Sequence, residues 1–189
     1  MLSIKFAIFL FILATWLALL EVQIEGKNSW AAELPCWRAN PDWVVAKVYS
    51  KIMGGLPLTG YHAVMFSFVF IILHFPFFTN TSWKISEEMK VCSAYFLLCA
   101  SWDFLYFVWN PYFFLIKNDP NAIANHKTWI LGLFPADYTG AVVVSLAFVV
   151  IVAVLVKNSA VIFQWLRTVG ILGIFILISS IFQILRGRA

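Results

Sequence analysis

Residues 91–111 read VCSAYFLLCASWDFLYFVWNP, a continuous apolar and aromatic run with one carboxylate, Asp103, set into it and an Asn-Pro break at its end. As a helix the run rises about 30 Å, the thickness of the hydrocarbon layer of a bilayer. In that solvent only a helix or a closed barrel satisfies its own backbone. A barrel strand alternates polar and apolar residues, and this run does not, so it reads as a membrane helix.

Four more stretches have the same character, and together the spans are about 6–24, 61–78, 91–110, 140–156 and 162–185. The chain is 62% hydrophobic and 12% charged over 189 residues. That leaves too little charged surface for a water-soluble domain, so the expected fold is all-α: one transmembrane bundle of five helices over 1–189. The first span resembles a signal-peptide core after Lys5, but no small-x-small cleavage site follows, and it reads as a true membrane helix. Its Ala14 and Ala18 share a face with Glu21 and Glu25, which points that stripe at other helices. The net charge of +4 comes from Lys and Arg scattered at segment ends, as anionic headgroups favour, and argues against nucleic acid as a partner. Cys36, Cys92 and Cys99 form neither a disulfide framework nor a CxxC metal pattern.

Two connections, about 25–60 and 111–139, are long and lie on one side; the other two are short. The side with the long loops and the C-terminus carries eight Lys and Arg against five opposite, which places those loops in the cytoplasm. Asn80-Thr81-Ser82 is a formal glycosylation triplet in the second loop, a pattern common by chance.

The polar residues of the spans raise the functional question. Cys99, Asp103, Tyr106 and Asn110 fall on one helical stripe, and a lipid-facing carboxylate costs several kcal/mol, so the stripe should face inward. Asp103 is then either a packing contact or a catalytic group, with Asn110 orienting substrate and Tyr106 lining its path. Glu21 and Glu25, one turn apart, can bind a cation or share a proton, although Glu25 also reads as a solvated helix end. In LPLTGYH, residues 56–62, Thr59 can cap a helix whose first turn carries His62, a candidate ligand or base. His74 lies about 18 Å deeper by helical rise and reads as an interfacial anchor. His126 with Trp129, and Asp137 with Tyr138, share the side of Glu21 and His62. Loop 1 contributes WAAELPCWRANPDW, an interface-loving segment in which Trp37 and Arg38 can contact substrate. Arg38 clamps an anionic group or, the favoured reading, pairs with Glu33 or Asp42.

Carboxylate and imidazole together suit zinc, iron or manganese, with His62, His126, Glu25 and Asp137 as expected ligands and Asp103, Glu21 and Asn110 as catalytic groups. Haem is disfavoured because no two helices present facing histidines. A chlorophyll-type pigment needs only one histidine, but abundant aromatics are usually lipid-facing bulk.

The pattern D-F-x-x-F-x-x-N-P at 103–111, followed by H-x-x-W at 126–129 and P-x-D-Y at 135–138, resembles a family of small, uncharacterised prokaryotic membrane proteins. The resemblance implies a shared polar pocket in a prokaryotic cytoplasmic membrane and names no reaction. Two function classes remain: a metal-dependent enzyme acting on a lipid or other amphiphile, and a non-catalytic subunit of a larger membrane complex. Gly170 and Gly173 on the last helix favour the subunit. A transporter is less favoured, since neither a central charge in 140–185 nor a repeat is visible.

Overall fold

The computed structural model of the chain describes residues 3–28, 30–79, 82–116, 126, 128–131 and 134–187. Asn80 and Thr81 of the glycosylation triplet, most of the stretch before Trp129, and Arg188 lie outside them. The elements run α1 (Ile4–Glu25), α2 (Val44–Ile52), α3 (Gly60–Thr79), α4 (Ile85–Trp109), β1 (Trp129–Ile130), β2 (Phe134–Pro135), α5 (Ala136–Leu155) and α6 (Ala160–Arg186). Five of these helices, all but α2, are long and apolar enough to cross a membrane, and the chain is an all-α integral membrane protein.

α4 is the central post. It packs on α5, α1, α6 and α3, and far more of it is buried than of any other span. Its small residues Ser93, Ala94 and Ser101 let neighbouring backbones approach, and Leu97, Leu98, Leu105 and Val108 fill the space between. The α1 stripe is buried as its spacing demands: Ala7, Leu10, Ala14, Leu17, Ala18, Glu21 and Glu25 all face the bundle. One buried polar network ties three helices. Trp165 Nε1 donates to Ser145 Oγ at 2.9 Å, and Ser145 Oγ donates to the Ser93 carbonyl at 2.9 Å. The Ser93 hydroxyl, 2.8 Å from Ser145 Oγ, is then left to donate to it.

The structure departs from the sequence reading at the helix starts. α4 begins at Ile85 rather than near 91, because Glu87 and Glu88 are not loop residues but the first turn, where negative charge complements the helix dipole. α5 likewise begins at Ala136, with Asp137 in its first turn. Loop 1 contains a helix where only loop was expected. α2 exposes Val44, Val45, Val48 and Ile52. The Gly54-Gly55 pair, both with positive φ, ends the segment.

Two contacts position the functional end. α1 closes at Gly26, whose φ of 57° turns the chain out of the helix. Its carbonyl accepts from Asn110 Nδ2 at 2.7 Å and from the Tyr106 hydroxyl at 3.1 Å. The ends of α1 and α4 are thereby joined at one oxygen. In loop 3, the short hairpin pairs Trp129 with Pro135 and Ile130 with Phe134, which brings the His126 segment back onto the start of α5.

Candidate functional site

Glu21, Glu25 and His62 come together where α1 ends and α3 begins, with one ligand atom from each lying within 4.8 Å of the others. All three are buried. His62 Nε2 faces Glu25 Oε1 at 3.8 Å. The opposite ring nitrogen, Nδ1, sits 2.8 Å from Thr59 Oγ1, which also accepts the His62 backbone N–H at 3.3 Å. Thr59 therefore caps α3, as its position before Gly60 implies, and fixes the ring with Nε2 aimed at the carboxylates. Trp30 stacks on the other side of that ring, 4.3 Å between centroids and 24° between planes.

Glu25 is no solvated helix end. Its two carboxylate oxygens accept from the backbone N–H groups of Trp30 at 2.8 Å and Ala31 at 2.6 Å. Trp30 and Ala31 both have positive φ, 62° and 52°, so the carboxylate organises a left-handed turn that would otherwise be costly. Glu21 has no hydrogen bond of this kind. The Trp102 indole N–H faces its carboxylate without closing a hydrogen bond, and remains a buried donor with no partner. Tyr49 of α2 also buries an unpartnered hydroxyl close to Glu25.

A second group forms across α4, α5 and loop 3. His126 Nδ1 lies 2.9 Å from Asp137 Oδ2. Its Nε2 lies 3.1 Å from the Tyr138 hydroxyl and 3.5 Å from Asp103 Oδ2. The Nδ1 contact to a carboxylate assigns a proton to that nitrogen, so in the neutral ring Nε2 carries the lone pair and accepts from Tyr138. Burial pulls the His126 pKa down, but the Asp137 hydrogen bond and the charges of Asp103 and Asp137 outweigh it and raise it above the ordinary imidazole value. The backbone holds the ring too: His126 accepts the Trp129 indole N–H at 2.9 Å on its carbonyl.

Both groups line one cavity of about 810 Å³ between α1, α3, α4, α5 and α2. Glu21, Glu25, Asp103 and Asp137 stand at its wall with His62 and His126, and among the described residues neither Lys nor Arg lines it. These six side chains, which the sequence reading placed on one side of the membrane, thus lie at one end of the bundle. The structure divides them into an α1–α3 cluster and a His126 pair, joins Glu21 with Glu25 and His62, and sets Asp137 behind His126.

Three expected site residues are occupied elsewhere. Asn110 is fully buried, its amide bonded to the Gly26 carbonyl and its Oδ1 accepting the Tyr112 N–H at 3.0 Å, so it clamps helix ends. Arg38 pairs with neither Glu33 nor Asp42. Its guanidinium donates to the carbonyls of Ala31 at 2.6 Å, Ala32 at 3.2 Å and Cys36 at 2.9 Å, gathering loop 1 around itself. Asp42 instead meets Lys47 at 3.6 Å. Trp37 lies over Gly60, where any larger residue would collide with its ring, and it does not reach the cavity. Tyr106 lines the cavity but donates its hydroxyl to Gly26. Trp30, Tyr49 and Trp102 are polar-tipped aromatic residues of the cavity to which the sequence reading gave no role. Their only signal was the presence of aromatic groups beside candidate ligands, which this chain offers almost everywhere.

His74 stays apart from the site, bonded to Glu88 at 3.0 Å and to the Phe70 carbonyl at 2.7 Å, with Trp83 donating to the same Glu88 carboxylate at 3.0 Å. No protein-family model, curated protein or solved structure matches the chain.

Proposed function

We propose that the protein is a metal-dependent membrane enzyme acting on a lipid or other amphiphile, with Glu21, Glu25 and His62 binding one divalent cation. The observation that carries this reading is the charge imbalance of the cavity, where four carboxylates meet no Lys or Arg among the described residues. Carboxylates gathered in a low-dielectric wall need a cation or protons to persist. The unpartnered Trp102 N–H beside Glu21 marks a place built for a further group. An oxygen-rich set with one imidazole suits zinc, iron or manganese, and the Thr59 contact to His62 is the outer hydrogen bond such ligands carry.

Three protein ligands leave open positions, and a bound ion would supply Lewis acidity toward substrate or water there. The chain's own contribution is proton handling and exclusion of water. His126, aimed by Asp137, accepts or gives a proton at Nε2, and Asp103 and Tyr138 flank that nitrogen. Phe66, Phe96, Phe107 and Val144 supply apolar wall that keeps bulk water from the ionisable groups.

Elemental analysis of protein purified in mild detergent tests the reading. About one divalent ion per chain is expected in the wild type, lost in His62→Ala and retained in His126→Gln. Metal that survives His62→Ala, or none in the wild type, overturns it. A second reading, a non-catalytic subunit of a larger assembly, is favoured by Gly170 and Gly173 of α6, around which the chain leaves open space. Other chains that co-purify stoichiometrically would support it.

A further inference from the structure

The cavity has two walls that do not pack closely on each other. α3 contributes His62, Phe66 and Ser67, and α5 contributes Gly140, Ala141 and Val144. Among the described residues α3 packs appreciably on α4 alone of the membrane helices, whereas α5 packs on both α4 and α6. With no α3–α5 contact of that kind, the space between them is a slot floored by α4. Its depth follows from helical rise. Phe96 and Cys99 of the floor lie about 10 Å and 6 Å below Asp103, and Val144 lies about 9 Å below Tyr138. These helices cross the bilayer, so the slot faces lipid rather than water. Small residues on the α5 wall leave it wide: around Gly140 an added Cβ would meet nothing within 4 Å.

The two ends of the slot differ in chemistry. The deep part is apolar and aromatic. The shallow part carries Glu21, Glu25, Asp103 and Asp137 with two histidines and, among the described residues, no Lys or Arg. An anionic head would meet four carboxylates there. A neutral oxygen would meet the open face of a cation and the donors of Trp102 and Tyr49, both without partners.

We infer that the α3–α5 slot is a lateral entrance through which a long-chain amphiphile with a neutral, oxygen-bearing polar end reaches the site from within the leaflet. The polar-end assignment rests on the cation reading above; the slot itself does not.

The test uses the full chain in phosphatidylcholine vesicles with a diazirine-bearing C16 alcohol, photolysed and mapped by mass spectrometry. Adducts on Phe66, Ser67, Phe96 and Cys99 are expected well above those on the outward residues Phe163 and Leu177. Gly140→Phe, and independently Ser67→Phe on the facing wall, should cut the slot adducts at least tenfold and leave the outward ones unchanged. Unlabelled hexadecanol should compete for the slot, and hexadecanoate should not. Slot labelling no greater than outward labelling, or labelling that survives both fillings, overturns the entrance. Equal competition by hexadecanoate overturns the neutral polar end. Metal content measured on the same samples separates this inference from the cation reading. Slot labelling without metal sinks only the latter, and metal without slot labelling sinks only the former.

Discussion

Glu21 and Glu25 sit one turn apart in the same cluster, yet replacing each by Gln should move stability in different directions. In Glu25→Gln one carboxylate oxygen becomes an amide nitrogen, which cannot accept. One of the backbone N–H groups of Trp30 and Ala31, now bonded at 2.8 and 2.6 Å, is left facing a donor. A buried donor without a partner costs about 1–3 kcal/mol. The turn it secures has two consecutive non-glycine residues at positive φ and gains by relaxing once released. For a chain of this size about 2–4 °C accompanies each kcal/mol, so the fall in Tm is about 2–12 °C. Glu21 makes no such bond, and Glu21→Gln removes an ionisable group from a buried wall at nearly constant shape. In metal-free protein its Tm should hold or rise. Both variants should lose the ion, and with it the roughly 2.7 kcal/mol that a ligand at one hundred times its Kd adds to the wild type. The assay is thermal unfolding in detergent with and without chelator, followed by intrinsic fluorescence. If Glu21→Gln falls as far as Glu25→Gln in chelator, or if Glu25→Gln unfolds like the wild type there, the assignment of Glu25 to both turn and cluster is refuted.

The His126–Asp137 contact should weaken on the alkaline side. A folded pKa raised above the ordinary value contributes stability fully present below about pH 6.5 and lost as pH rises through the raised value. Amide protection in Trp129–Ile130, corrected for intrinsic exchange, should therefore fall between pH 6 and pH 9, and Asp137→Asn should abolish that dependence. Ser145→Ala removes the acceptor of the buried Trp165 N–H and should destabilise the bundle by about 1 kcal/mol, read by denaturant titration in mixed micelles; no change would mean the indole finds another partner. Glu88→Ala should lower Tm by a few degrees through loss of its bonds to His74 and Trp83, with metal content unchanged because that clasp is not part of the cavity.

The bundle was legible because lipid permits so few answers. Continuous apolar runs of span length have almost no alternative to helices, and the Ala14, Ala18, Glu21, Glu25 spacing faced the core as the 3.6-residue period requires. Thr59 and His62 were readable for a local reason, since a cap and the first turn are set by neighbours in sequence. The grouping of the carboxylates and imidazoles was not. Glu21 joins Glu25 and His62 across helices distant in sequence, a juxtaposition that no periodicity records. Arg38 misled because charge invites a charged partner, whereas loop 1 folds back to offer it carbonyls instead. α2 was hidden by its length, nine residues between a proline turn and a glycine pair.

The Gly26 carbonyl, shared by Tyr106 and Asn110, makes α1 and α4 keep count from a common origin. Deleting a single residue between Glu21 and Gly26 would leave two choices: surrender both bonds, or swing Glu21 about 100° around its axis, away from His62. Length in this part of the chain is therefore more strictly constrained than composition, and homologous pockets should tolerate exchanges of side chain far more readily than insertions.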